Sequence, residues 1–136
     1  MWTTEENAMA SIVPMAKSLY LCEEVDVEGG MTNLYGFFNA IHPDSYPHVQ
    51  ESFVCFAQLL GGLGEVSVHV DVRDAETGML VDCSEVHRLY FPDRDTLLQV
   101  AVTMAVCPFE RPGVATVELY CENIWVADTT ILLKEV

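Results

Sequence analysis

Basic residues are scarce in this chain: Lys and Arg number six against 21 acids, for a formal net charge of −15 over 136 residues. A phosphate backbone or an anionic lipid surface repels such a field, and no Lys/Arg cluster offsets it locally. Nucleic acid and membrane surfaces are therefore not expected as partners. Long apolar runs are missing as well, since none reaches the ~18 residues of a membrane span. The start, MWTTEENAMASIVPMA, carries acids where a signal peptide needs bases, and Pro14 interrupts its apolar part. The five cysteines, Cys22, Cys55, Cys83, Cys107 and Cys121, include no C-x-x-C pair, and their number is odd. That spacing is poor for zinc and for a secreted disulfide framework. Reduced thiols, buried as small hydrophobes in a cytoplasmic protein, are the expectation.

Catalytic signatures are also lacking. There is no G-x-S-x-G elbow, and no cysteine lies in a local motif that would activate it. A Cys–His pair assembled in space stays open, because spacing along the chain does not exclude it. Gly61-Gly62-x-Gly64 is followed by a strand pattern and no Lys-Ser/Thr, so it is not a phosphate cradle.

What is present is a hydrophobic chain, 51% apolar and 20% charged, of one-domain size. A domain near this length hides roughly 68% of its unfolded surface, enough for a core without disulfides or metal. Residues 1–15 read as a tail, with a loose helical turn, and 16–136 as the folded domain. Val66, Val68, Val70 and Val72 alternate with Ser67, His69, Asp71 and Arg73, the period-two pattern of a strand with one wet face. "DAETGML" then reads as a hairpin turn. Further strands are expected at Lys17–Val25, Asn33–Ile41, Ser52–Leu60, Met79–Phe91 (bent or bulged near Ser84), Leu97–Val106, Val114–Cys121 and Ile124–Val136. About eight mostly antiparallel strands at short spacing predict an all-β fold, a single β-sandwich with Greek-key or immunoglobulin-like connections. Phe53–Leu60 and Leu34–Phe38 are apolar on both faces, as central strands or interface strands would be. Phe38 and Val70 are the chosen core positions.

Three polar groupings invite a site. Glu24, Asp26 and Glu28 fall on one face of a strand before the Gly29-Gly30 turn. With loop ligands such as Asp93 and Asp95 they would offer oxygens to Ca²⁺. The D-x-D/N-x-D/N-G loop spacing is absent, however, and acids on a wet strand end explain them more simply. "IHPDSYPH" places His42, Asp44 and His48 in one loop, a possible facial triad for a metal. Pro43 and Pro47 fit a rigid crossover better. His69 and His87 lie on the two arms of the hairpin; tight pairing would set His69 opposite Asp82 and leave His87 roughly 16 Å away at ~3.3 Å per residue. A surface His–Asp pair is the preferred account. Trp2, Tyr35, Tyr46, Tyr90, Tyr120 and Trp125 are available for recognition, although each is individually more often packing.

"LYLCEEVDVEGGMTNLYGFFNAI" and the later "FPDRDTLLQVAVTMAVCPFERPGVATVELYCENIWVADTTILL" resemble a family of small, uncharacterised bacterial proteins. Its pattern runs L-C-D/E-x-V, a glycine turn, L-x-G-x-F/Y, and later a P-F-x-x-P-G turn, matched here by Pro108, Phe109, Pro112 and Gly113. The likeness spans roughly residues 17 to 134 and implies a β-sandwich of unknown function, with no catalytic residues to carry over. The resulting expectation is a non-catalytic binding or assembly module without cofactor. It would act through loop ends or edge strands on a protein partner or on a second copy as a homodimer. The alternative is a metal- or small-ligand-binding domain, with a hydrolase as one form of it, and His42, Asp44, His48 and the Glu24, Asp26, Glu28 acids at one loop end.

Overall fold

A computed structural model of the protein describes residues 11–136. The helical turn expected near the N-terminus, and Trp2, lie outside the described residues. The described chain is all-β: β1 (Met15–Cys22), β2 (Glu24–Glu28), β3 (Met31–Tyr35), β4 (Ala40–Ile41), β5 (His48–Gln50), β6 (Phe53–Leu60), β7 (Gly64–Asp74), β8 (Leu80–Cys83), β9 (His87–Phe91), β10 (Leu98–Met104), β11 (Cys107–Phe109), β12 (Gly113–Cys121) and β13 (Ile124–Leu133). They form a three-stranded sheet ordered β1-β6-β10, a larger sheet ordered β4-β13-β12-β7-β8 with β9 also on β7, and the two-stranded pairs β11-β5 and β2-β3. All pairings are antiparallel except β13 with β4. Ile12 bridges Leu63 just ahead of β1.

One cluster of buried side chains draws on both larger sheets. Val66, Val68, Val70 and Val72 of β7 are all fully buried, as are Val117 and Leu119 of β12. They share a cluster with Phe53, Cys55 and Leu59 of β6 and Val100 and Val102 of β10. Each such side chain contributes roughly 1.5–3 kcal/mol when fully buried. The second face of β6 is covered only in part within the chain, with Phe56 buried and Val54, Gln58 and Leu60 half-buried. Phe56 is 5% exposed, and the β2–β3 hairpin lies against β6. Thr32 Oγ1 donates to Gln99 Oε1 at 2.8 Å, tying that hairpin to β10.

The count of strands exceeds the eight expected, and each extra break has a local cause. The Asn33–Ile41 run breaks at Gly36, whose φ is +70°. Met79–Phe91 divides into β8 and β9 around Ser84, which donates its hydroxyl to Glu85 O and accepts the Val70 N–H at 2.9 Å. The loop expected to be a crossover ends in β5, which pairs with β11. The hairpin register also differs from the tight one expected. Its turn closes between Asp74 and Met79, and a bulge follows at Val72/Arg73, so Asp82 faces Val72 and not His69. His87 pairs with Val68, one step from His69 but on the opposite face.

Candidate functional site

The acids of the β2 hairpin do not converge with the histidine loop. Glu24, Asp26 and Glu28 alternate along β2, all exposed. Positive φ at both Gly29 (59°) and Gly30 (78°) makes the tight turn that carries them into solvent. His42 and Asp44 are exposed in the loop, whereas His48 sits in β5 with Nε2 3.0 Å from Gln50 Oε1. Among the described residues no group of three or more His, Cys, Asp and Glu is arranged to hold a metal ion.

A cleft of about 360 Å³ opens at one end of the larger sheet, between the Asp74–Met79 turn and the Pro108–Val114 segment. Buried Phe109, Ala115 and Leu133 line it, and exposed Met79, Leu80 and Val114 form its apolar rim. Arg111 reaches across the mouth to Asp74 Oδ2 at 3.3 Å and Glu76 Oε2 at 3.4 Å. Asp74 fixes its own turn by accepting the Glu76 and Thr77 N–H groups at 2.9 and 3.1 Å. Those backbone donors, led by Thr77, hold its carboxyl below the usual carboxylate range, with Arg111 adding to them against the opposing effect of burial. The two walls are thus tied to each other by the ion pair, and the Asp74 turn is fixed by its own hydrogen bonds. The "PFERPG" turn was legible in the sequence; that it faces the "DAETGM" turn was not, because cross-sheet order brings them together.

A second polar grouping occupies the outer face of the same sheet. Arg73 donates from Nη2 to Asp71 Oδ2 at 3.1 Å and from Nε to Glu118 Oε1 at 3.0 Å. Tyr120 donates its hydroxyl to Glu118 Oε1 at 2.9 Å. His69 stacks on the Tyr120 ring with centroids 5.0 Å apart, and its Nε2 faces Asp71 Oδ1 at 3.6 Å. Asp71 and Glu118 are each only 9% exposed, which is unusual for carboxylates on a wet strand face. Burial works against the Arg73 charge, but Glu118 and Asp71 outweigh it and raise its pKa. Burial and the Glu118 carboxylate both raise the pKa of Tyr120, which stays a donor. Alternation along β7 marked His69, Asp71 and Arg73 as outward residues; only the pairing with β12 adds Glu118 and Tyr120.

The thiols offer no nucleophile in the core. Burial raises the pKa of Cys22; it pushes Cys55 and Cys107 up to about 12 and Cys121 to about 11, helped by nearby Cys22, Asp82 and Glu122 respectively. All five are free, and only Cys83 is exposed. No helix among the described residues is long and apolar enough to cross a membrane.

These features define an all-β protein with an apolar cleft at one sheet end and a salt-bridged outer face. The chain belongs to the family of unknown function DUF6941, which matches residues 17–134, the span over which the sequence resemblance ran. No curated protein matches it. Among solved structures, it is similar to the Pseudomonas fluorescens alkylpurine DNA glycosylase AlkC bound to DNA containing an abasic site analog. That similarity has 8% identity and a TM-score of 0.47, and covers 86% of this chain and 30% of that one. The chain therefore spans less than a third of that protein.

Proposed function

We propose that the protein is a non-catalytic binding module whose loop-end cleft receives an apolar side chain of a partner protein. The observation that carries this reading is the cleft: about 360 Å³, apolar in its floor, with walls tied by Asp74 and Arg111. Preformed sites for small groups have this size and make-up. The reading treats the two larger sheets as layers of one sandwich with Greek-key connections, which their shared core supports. It also places the protein in the cytoplasm, in keeping with four buried, unpaired thiols. The metal-site alternative has less support, since its six candidate residues are divided between β2, which carries Glu24, Asp26 and Glu28, and the segment that holds His42, Asp44 and His48. A second copy is the first partner to test, because Phe37 and Met31 are exposed by 60% and 68%; light scattering reads the mass directly.

The cleft itself is tested by titrating isotopically labelled protein with N-acetyl-leucine amide and N-acetyl-phenylalanine amide. Saturable amide shifts at Leu80, Val114 and Ala115, abolished by Val114→Glu, are expected. Shifts scattered over the surface, or unchanged by Val114→Glu, would refute the assignment.

A further inference from the structure

The outer face of the larger sheet carries two cross-strand rows that its internal contacts do not use up. In one row, Asp71 pairs with Glu118 and Glu118 with Asp128. In the next, His69 pairs with Tyr120 and Tyr120 with Trp125. Arg73 serves the first two acids, at 3.1 and 3.0 Å. Asp128 is exposed. Trp125 is 57% exposed, and its indole N–H is already given to Ala127 O at 3.1 Å. What Trp125 presents to solvent is therefore a ring without a free donor.

We infer that this face docks a basic segment of a partner protein, an arginine side chain lying over Trp125 and pairing with Asp128. Charge argues for it. Three carboxylates against one guanidinium leave this patch negative, within a chain of net charge −15. The face of an indole ring attracts cations, and a guanidinium stacks on it while keeping its edge donors for a carboxylate. The surface already pairs one guanidinium with its carboxylates, since Arg73 lies on the same face between Asp71 and Glu118. The two rows lie two residues apart along β12, roughly 6.6 Å at ~3.3 Å per residue, so an extended peptide running along β12 and β13 meets both within a few residues. Anionic partners are repelled from the same patch. The inference does not rest on the cleft, which lies at the end of the sheet and recognises apolar groups.

The test uses the full chain, isotopically labelled, and an acetylated, amidated peptide of alternating arginine and glycine at physiological ionic strength. Saturable shifts of the Trp125 indole N–H and of the Tyr120 and Asp128 amides are expected. Trp125→Ala and Asp128→Asn should each weaken binding by about threefold, in line with exposed cation–ring pairs. Trp125→Phe, which keeps a ring, should retain most of the affinity and covers the case in which the alanine variant folds poorly. Asp26→Asn with Glu28→Gln, on the β2 hairpin, should change nothing. Equal weakening by that control would reduce the effect to net charge and overturn the inference. So would binding without saturation, shifts confined to the cleft, or spermine matching the peptide at the same residues.

Discussion

Glu122 and Ser67 are joined by three hydrogen bonds. The Glu122 N–H donates to Ser67 O at 2.9 Å. In return Glu122 Oε2 accepts the Ser67 N–H at 3.1 Å and the Ser67 hydroxyl at 2.6 Å. Glu122 and Asn123 form the β12–β13 turn with positive φ, 50° and 60°, a conformation L-residues adopt at a cost. The contacts with β7 hold the turn in place.

The Ser67 donors, hydroxyl first, hold the Glu122 carboxyl below its ordinary value. A depressed pKa contributes stability above the unfolded value of about 4.3 and loses it as pH falls through the folded value. Glu122→Gln should cost about 1–2 kcal/mol at neutral pH, as for a charge-assisted hydrogen bond. The gap from wild type should shrink as pH falls below about 4.3. Urea unfolding at several pH values measures it, and a gap that widens in acid would contradict the account.

Gly62 packs on the buried ring of Phe91. A Cβ at position 62 would lie 2.8 Å from Phe91 Cδ2 and 2.9 Å from Cγ. The ring is fully buried and has nowhere to retreat. Gly62→Ala should destabilise by about 1–3 kcal/mol, the usual cost of overpacking. Adding Phe91→Leu should recover part of that loss in thermal melts; simple additivity would exclude the clash.

Core truncations should rank by burial. Phe53 is 2% exposed, and Phe38 meets it edge-on at 5.4 Å from a partly buried position. Phe53→Ala should cost about 3–5 kcal/mol. Phe38→Ala should cost less, because water already reaches part of its ring. Equal losses by chemical denaturation would mean that the two rings share one enclosed site.

Thiol accessibility follows the same burial. With only Cys83 exposed, Ellman's reagent should label one thiol rapidly in the native protein and five after denaturation without reductant. Cys83→Ser should remove the rapid phase. Persistence of that phase would show a buried cysteine opening on the assay's timescale.

Local pattern was readable wherever one face of a strand is dry. Val66 to Val72 alternate, and all four valines are buried. The acids of β2 read as a wet strand end before a glycine turn, and all three are exposed. Short strands were not readable. β5 and β11 hold three residues each, and they are strands because His48 pairs with Phe109 far along the chain. The hairpin register failed for a related reason: a bulge at Val72/Arg73 moves every later pair while leaving the alternation intact. Both candidate sites depend on such pairings. Arg111 meets Asp74, and Arg73 meets Glu118, across separations that no local spacing encodes.

The Arg73 bridge gives the sharpest test of the outer face. Asp71 and Glu118 side chains are 12% and 11% exposed, and Arg73 is the cation between them at 34%. Removing it leaves two close carboxylates poorly solvated and without a countercharge. Breaking a fully buried pair costs about 3–5 kcal/mol, and exposed pairs are worth less than about 1. Arg73 is one-third exposed, so Arg73→Met should fall between, at roughly 1–3 kcal/mol. Methionine keeps much of the stem that covers the strand, so the loss reports on charge more than on packing. Glu118→Gln in the same background removes one of the two opposed charges and leaves an amide that still accepts from Tyr120. The double variant should therefore be more stable than Arg73→Met alone, with a coupling of about 1 kcal/mol or more in the double-mutant cycle. If Glu118→Gln costs the same with and without Arg73, the guanidinium is not what holds these carboxylates on the sheet.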